Sequence, residues 1–140
     1  MKKTIFIYFL ILMGIQAYGQ STSITVTIKD IKDKKGSLLI GVYTNKDDFL
    51  KKPFLGKVVK ITGSMVTVIF DNLPEGEYAV SIIHDENDNK EFDRNKFGFP
   101  KEGYCFGNNA MGRIGPPSYD QVKITLKGAP VSQTLEMKYL

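Results

Sequence analysis

The sequence of 140 residues has one cysteine, one histidine and no tryptophan. The single cysteine, Cys105, excludes an internal disulfide and any CxxC metal or redox site. The single histidine, His84, argues against a His-rich zinc site and against catalysis by a pair of histidines. Neither positive nor negative charge is in large excess. Of the 19 Lys and Arg residues, two lie in an N-terminal leader, and the rest barely outnumber the 15 Asp and Glu residues, so no nucleic-acid partner is predicted.

The leader has the composition of a secretory signal peptide. A basic start precedes an apolar run from Ile5 to Ile15, and Ala17-Tyr18-Gly19 supplies the small residues that signal peptidase requires. We therefore expect a signal peptide over residues 1–19, cleavage before Gln20, and a periplasmic or secreted domain over residues 20–140. The apolar run is about half of the ~20 residues that span a bilayer, so no membrane span is predicted after cleavage.

The rest of the chain has the pattern of a small all-β domain. It is 42% hydrophobic with a mean hydropathy of -0.16, which is enough for a core. Thr62-Gly63-Ser64 is typical of a hairpin turn, and Lys127–Pro130 is predicted to join the last two strands as a pair. Short strands at this spacing favour one domain, an antiparallel seven-stranded β-sandwich. The predicted strands are Ser23–Lys29, Leu38–Tyr43, Lys57–Ile61, Met65–Phe70, Glu77–His84, Gln121–Leu126 and Ser132–Lys138.

The segment Phe70–Tyr78 has the features of a tyrosine corner. Pro74 and Gly76 form a turn between two strands, so Leu73 can enter the core while the Tyr78 hydroxyl bonds nearby backbone. The pattern resembles the turn of transthyretin-like sandwiches. This resemblance implies a transthyretin- or immunoglobulin-like fold and no activity.

One long segment, from Asp85 to Asp120, shows neither strand nor helix periodicity. Loops of this length in compact domains are either functional or disordered. Because the segment is rich in aromatic residues that can pack, we expect an ordered loop over residues 85–120. These aromatic residues are Phe92, Phe97, Phe99, Tyr104, Phe106 and Tyr119.

The beginning of this loop has the spacing of a calcium loop. Oxygen ligands at relative positions 1, 3, 5, 7 and 9 can surround a hard cation. The corresponding residues are Asp85, Asn87, Asn89, Glu91 (through its carbonyl) and Asp93. Lys90 replaces the usual glycine and would have to adopt an unfavourable conformation, Lys96 replaces the usual glutamate, and Glu102 could close the shell from a distance. Two interpretations stay open: a Ca²⁺ site, or a metal-free turn whose side chains bond their own backbone.

The second half of the loop, Gly98–Ala110, combines glycines with aromatic and amide side chains. Such a surface can hold a sugar or a peptide, although the lack of tryptophan weakens the sugar interpretation. The alternative is that the aromatic residues fasten the loop to the domain. The candidate ligand-binding residues are Phe99, Glu102, Tyr104, Phe106, Asn108 and Asn109.

Three stretches together resemble a known bacterial family. They are LPEGEYAVSIIHDENDNKEFD, FGFPKEGYCFGNNA and the strand GSLLIGVY. The chain is similar to domain-of-unknown-function family 2141, whose members usually carry Gly at the position of Lys90, Gly at that of Cys105 and Ser at that of Gly107. The resemblance implies a secreted protein and the fold above, and it implies no activity.

We expect a binding protein and not an enzyme. Cys105, His84 and Asp85 could be assigned as nucleophile, base and orienting group, but nothing in their spacing supports a hydrolase. The leading hypothesis is a secreted binding module that presents its long loop, ordered by calcium, to an extracytoplasmic protein or glycan. The alternative is a structural accessory domain of the envelope with no metal.

Overall fold

The computed structural model describes residues 21–140, so the predicted signal peptide lies outside the described residues. Within this range the chain forms eight strands, one short α-helix and one 3-10 helix over Gly107–Asn109. Their bounds are β1 (Thr22–Lys29), β2 (Ser37–Tyr43), β3 (Leu55–Lys60), β4 (Val66–Leu73), β5 (Gly76–Asp85), β6 (Gly103–Phe106), α1 (Tyr119–Val122), β7 (Ile124–Leu126) and β8 (Val131–Glu136).

The strands form two sheets that share one core. One sheet has the order β4-β1-β8, and the other has the order β3-β2-β5-β6, with β7 paired to the first residues of β5. Every second residue of β1 is buried because the side chains of a strand alternate between its two faces. Ile24, Val26 and Ile28 pack in one cluster with residues of the other sheet such as Leu38 and Val80. The all-β prediction is therefore confirmed.

The predicted corner is present between β4 and β5. The Tyr78 hydroxyl donates a hydrogen bond of 2.6 Å to the Pro74 carbonyl, and Leu73 is buried in the shared core. The bond fastens the chain where it passes from one sheet to the other. The prediction made from Phe70–Tyr78 is confirmed at this point.

The predicted number and pairing of strands were wrong. An eighth strand, β6, lies inside the segment predicted to be loop and pairs with β5. Thr62-Gly63-Ser64 does not close a hairpin, because β3 pairs with β2 while β4 pairs with β1 in the other sheet. β8 runs parallel to β1, so the sheets are not wholly antiparallel.

The last two predicted strands also differ from the prediction. Gln121 and Val122 belong to α1, where the Gln121 side chain accepts a hydrogen bond of 2.9 Å from the Ser118 N–H. β7 and β8 join different sheets, because β7 adds to β5 while β8 adds to β1. The connection Lys127–Pro130 is thus a crossover and not a hairpin.

The long segment packs on the outside of the larger sheet. Phe106 and Tyr119 form a second apolar cluster with Tyr43, Phe49 and Ala79, and Phe49 meets Tyr43 and Tyr119 edge to face. These contacts hold Phe106 and Tyr119 of the segment against Ala79 of β5. Over residues 21–140, no helix has the length and apolar character needed to cross a membrane.

Candidate binding site

The segment after β5 turns sharply around the Asp85 carboxylate. Asp85 is buried, and its two oxygens accept the backbone N–H groups of Asn89 (3.1 Å) and Lys90 (2.8 Å). The turn requires left-handed backbone at Asp88 (φ 56°) and Lys90 (φ 63°). Lys90 therefore adopts the unfavourable conformation expected at the position that calcium loops give to glycine.

Two of the side chains at the predicted metal positions, those of Asn87 and Asn89, meet the Asp93 carboxylate. The Asn87 amide donates to Asp93 at 2.7 Å, and the Asn89 amide donates to both carboxylate oxygens at 3.1 Å. The amide oxygens of Asn87 and Asn89 accept backbone N–H groups of the same turn. Glu91 enters this network through its backbone N–H, and its side chain is exposed.

The predicted metal-binding residues supply few carboxylates. Among residues 21–140, no group of three or more His, Cys, Asp or Glu side chains is arranged to hold a metal ion. Asp85 and Asp93 are accompanied instead by two amides, whose oxygens are also accepted ligands of Ca²⁺. The arrangement therefore offers a hard cation a weakly charged oxygen site, or it serves as a self-contained turn.

Glu102 closes the turn from the start of β6. Its side chain is 5% exposed, and its carboxylate accepts the backbone N–H groups of Glu86 and Asp93, both at 3.1 Å. Burial raises the pKa of the Glu102 carboxyl, and these two hydrogen bonds partly offset the rise. Glu102 thus holds the two ends of the Asp85–Asp93 turn together through their backbone.

Asp88 connects the same turn to the larger sheet. Its carboxylate accepts 2.6 Å hydrogen bonds from Lys60 on β3 and from Ser37 on β2, and these bonds lower its pKa. Gly36 lets the turn approach β2, because a Cβ at this residue would lie 1.9 Å from the Asp85 carbonyl oxygen. The Asp88 carboxylate therefore joins the turn to both β2 and β3.

Beyond the turn, aromatic side chains line a cleft of about 440 Å³. We call it the aromatic cleft. Phe92 meets Tyr104 edge to face at 6.2 Å, and Tyr104 lies 6.0 Å from Phe106. Phe97 and Phe99 extend from the other wall and are 73% and 59% exposed. The cleft brings together three of the predicted ligand-binding residues, Phe99, Tyr104 and Phe106.

The two predicted asparagines lie outside the aromatic cleft and bond to the backbone. The Asn108 amide donates to the carbonyl oxygens of residues 121–123 and accepts a hydrogen bond of 2.8 Å from Gln133. The Asn109 amide donates to the Thr134 carbonyl at 3.0 Å and accepts the Glu136 N–H at 2.9 Å. Both side chains therefore fasten the segment to α1 and to the edge of β8.

His84 and Cys105 do not form a nucleophile and base pair. The fully buried His84 ring bonds the Lys35 carbonyl through Nε2 and the Tyr139 hydroxyl through Nδ1, both at 2.8 Å. Because a carbonyl only accepts, Nε2 carries a proton and donates to Lys35. Cys105 contacts the Met137 sulfur at 3.5 Å, and burial raises the pKa of its thiol to about 12. At neutral pH the thiol is protonated and is a poor nucleophile.

The sequence-based predictions missed two arginines in the aromatic cleft. Arg94 and Arg113 both line it, together with Phe92, Phe97 and the exposed Ile114. They are the only arginines of the chain. Their rarity and their confinement to the unpatterned segment were the signal that could have identified them.

Comparison with known proteins finds a family and no individual relative. Residues 26–134 match the model of a family described as an uncharacterized protein conserved in bacteria (DUF2141). No curated protein matches the chain, and no solved structure matches it.

Proposed function

Because this chain belongs to the DUF2141 family of bacterial proteins, we propose a function from the geometry of its own long segment. The protein is an extracytoplasmic binding module that holds a ligand or partner in the aromatic cleft, and it acts by binding and not by catalysis. The leader over residues 1–19 supports export. The shared core of the two sheets and the Tyr78–Pro74 corner support a transthyretin-like sandwich as the scaffold.

The aromatic cleft is the observation that carries this proposal. Its volume lies within the range of ~300–1,000 Å³ that is usual for ligand sites. Phe97 and Phe99 expose ring faces that the core does not bury, and large exposed apolar patches mark binding surfaces. These faces suit an apolar ligand, an apolar part of an extracytoplasmic protein, or the face of a sugar ring.

The neutral fluorescent probe N-phenyl-1-naphthylamine tests the cleft directly. We expect saturable binding to the purified protein, and binding about tenfold weaker or worse in the double variant Phe97→Ser and Phe99→Ser, because each ring buries apolar surface against the probe. The matched control is Phe54→Ser with Met65→Ser, since both residues are more than half exposed but lie elsewhere. Titration of the probe fluorescence measures all three proteins.

Two results would contradict this proposal. Equal binding by the wild type and the cleft variant would place the probe elsewhere. No binding by any of the three proteins would remove the cleft as an apolar site and favour the structural accessory domain of the envelope.

We further propose that Ca²⁺ orders the Asp85–Asp93 turn. The Asn87 and Asn89 amides meet the Asp93 carboxylate there, Asp85 lies in the same turn, and Lys90 already has the left-handed backbone that a calcium loop requires. On binding, the amides of Asn87 and Asn89 would rotate so that their oxygens face the ion, and these oxygens would give up the hydrogen bonds that they now accept from the Asn89 and Glu91 backbone N–H groups. The turn would then be stabilised by the ion as well as by Glu102.

Thermal unfolding in calcium and in chelator tests this role. An ion at ~100 times its Kd adds about 2.7 kcal/mol to the native state, so we expect calcium, and not magnesium, to raise the Tm by several degrees above its value in EDTA. Asp93→Asn should abolish the rise, whereas Asp47→Asn, an exposed acid outside the turn, should keep it. Equal Tm values in calcium and EDTA would leave the Asp85–Asp93 turn as a metal-free structure.

A further inference from the structure

The two arginines of the chain stand apart from its other charges. All seven ion pairs among residues 21–140 use lysine as the cation, and neither Arg94 nor Arg113 takes part in one. Both line the aromatic cleft, whose lining includes no Asp or Glu side chain. Leu140, the last residue, also lines it, and neither arginine forms an ion pair with its carboxylate. The cleft therefore combines apolar walls with two guanidinium groups that have no protein counter-ion in the described part of the chain.

Arg94 is held in place by the wall of the cleft. Its guanidinium carbon lies 5.0 Å from the centre of the Phe92 ring, and Nη1 donates to the Gly98 carbonyl at 3.3 Å. Stacking on a ring and one backbone bond fix the plane of the guanidinium and leave further N–H donors for a ligand. The group is pre-organised, which lowers the entropy lost when it binds an anion.

The remaining surroundings add positive charge and apolar surface. The Lys96 ammonium lies 5.1 Å from the centre of the Phe97 ring, next to the cleft. Ile114 and Phe97, 99% and 73% exposed, extend the apolar wall beyond the two arginines. A ligand that matches this lining has an apolar body for the rings and a negatively charged head for the guanidinium fork, which suits carboxylate and phosphate oxygens.

We propose that the aromatic cleft binds a single-chain amphiphile whose head is an oxyanion, with Arg94 and Arg113 as the residues that select the head. This inference rests on the proposed binding function of the cleft and adds the chemical class of the ligand. The apolar chain lies against Phe97 and Phe99, and the head accepts hydrogen bonds from the arginines. Neutral and cationic amphiphiles of the same chain length bind more weakly, because they leave the guanidinium groups uncompensated.

Competition with N-phenyl-1-naphthylamine tests the head-group selectivity. The competitors are dodecanoate, dodecanol and dodecyltrimethylammonium, each kept monomeric, so that only the head changes. We expect dodecanoate to bind about tenfold more tightly than the other two. Dodecyl phosphate is the fourth competitor, and binding at least as tight as that of dodecanoate supports the same oxyanion chemistry and identifies phosphate as an accepted head.

Variants assign the selectivity to the arginines. The double variant Arg94→Gln and Arg113→Gln should lose the preference for dodecanoate but still bind the neutral probe. The double change to lysine should keep part of the preference, since charge remains but the planar fork is lost. The control Lys51→Gln with Lys52→Gln removes the same charge from exposed residues outside the cleft, and its preference should equal that of the wild type.

Several outcomes would overturn the inference, and they are distinguishable from failure of the cleft itself. If the neutral probe binds but dodecanoate and dodecanol compete equally, the selectivity is absent while the binding module stands. If the selectivity persists in the glutamine variant, other groups select the head. Binding to phosphatidylglycerol vesicles without binding of monomeric dodecanoate would assign the cleft to a membrane surface. If the probe itself does not bind, both proposals fail.

Discussion

Glu102→Ala is expected to lower the free energy of unfolding by about 3 kcal/mol. The change removes the acceptor of the two part-buried hydrogen bonds that the Glu86 and Asp93 N–H groups donate, and a hydrogen bond to a charged group contributes about 1.5–3 kcal/mol. In a domain of this size each kcal/mol moves the Tm by about 3–4 °C, so a decrease near 10 °C should be measured by thermal or urea unfolding. Such a loss is a large part of the ~5–15 kcal/mol that stabilises a typical domain.

Glu91→Ala is the matched control for this prediction. Glu91 lies in the same loop, but its side chain is exposed and only its backbone bonds within the turn. Its removal should change the stability by about 0.5 kcal/mol or less. Similar losses in the two variants would show that Glu102 does not hold the turn together.

The pH dependence of stability should show that burial disfavours the ionised form of Glu102. The pKa of Glu102 is raised in the native state, so the native state favours the protonated carboxyl. The stability that this preference adds is complete below the unfolded-state pKa of 4.5, and it is lost as the pH rises through the native-state pKa. Glu102→Gln cannot titrate. The unfolding free energy of the wild type minus that of Glu102→Gln should therefore fall as the pH rises from about 4.5 towards neutrality. A difference that grows over this range would contradict the raised pKa.

The sequence predicted the strands whose pattern is local. β1 alternates buried and half-buried residues, and β5 is a dense apolar run, so both were found close to their true bounds. β6 was missed because Gly103–Phe106 is only four residues long and has no alternation of polar and apolar side chains. Its strand conformation depends on pairing with β5, which is a long-range contact that no local window contains.

Strand pairing could not be predicted from turn residues. A glycine between two apolar runs is compatible with a hairpin, yet the core needs β3 beside β2 and β4 beside β1. The choice is made by the apolar faces that each sheet buries, and these faces come from residues far apart in the chain. The parallel pairing of β8 with β1 arises in the same way.

The candidate site was predicted in its parts and not in its organisation. The spacing of Asp85, Asn87, Asn89 and Asp93 predicted side chains around one point; Asn87 and Asn89 do meet Asp93, whereas Asp85 bonds the backbone of the turn. The same spacing could not show that amide N–H groups face Asp93. Arg94 and Arg113 were missed because only the folded segment brings both to one cleft, with Phe92 and Phe97 around them.

Asn109→Ala is expected to lower the unfolding free energy by about 2–3 kcal/mol. The Asn109 amide donates to the Thr134 carbonyl and accepts the Glu136 N–H. It thereby makes the hydrogen bonds that a neighbouring strand would make at the edge of β8. Loss of two hydrogen bonds costs about 1 kcal/mol each. Asn109 also has φ 51°, a left-handed conformation that asparagine tolerates better than alanine.

Asn72→Ala separates the backbone effect from the hydrogen bonds. Asn72 has almost the same conformation, φ 56°, but its side chain makes no hydrogen bond within residues 21–140. Asn72→Ala should lower the unfolding free energy by about 1 kcal/mol or less, because only the preference of asparagine for left-handed backbone is lost. Asn109→Ala loses the same preference and both hydrogen bonds. Urea unfolding of the two variants measures the difference directly. Equal losses of unfolding free energy would mean that the Asn109 amide contributes nothing to the edge of β8 and is available to a ligand. A larger loss in Asn109→Ala establishes Asn109 as a structural bridge between the long segment and the smaller sheet.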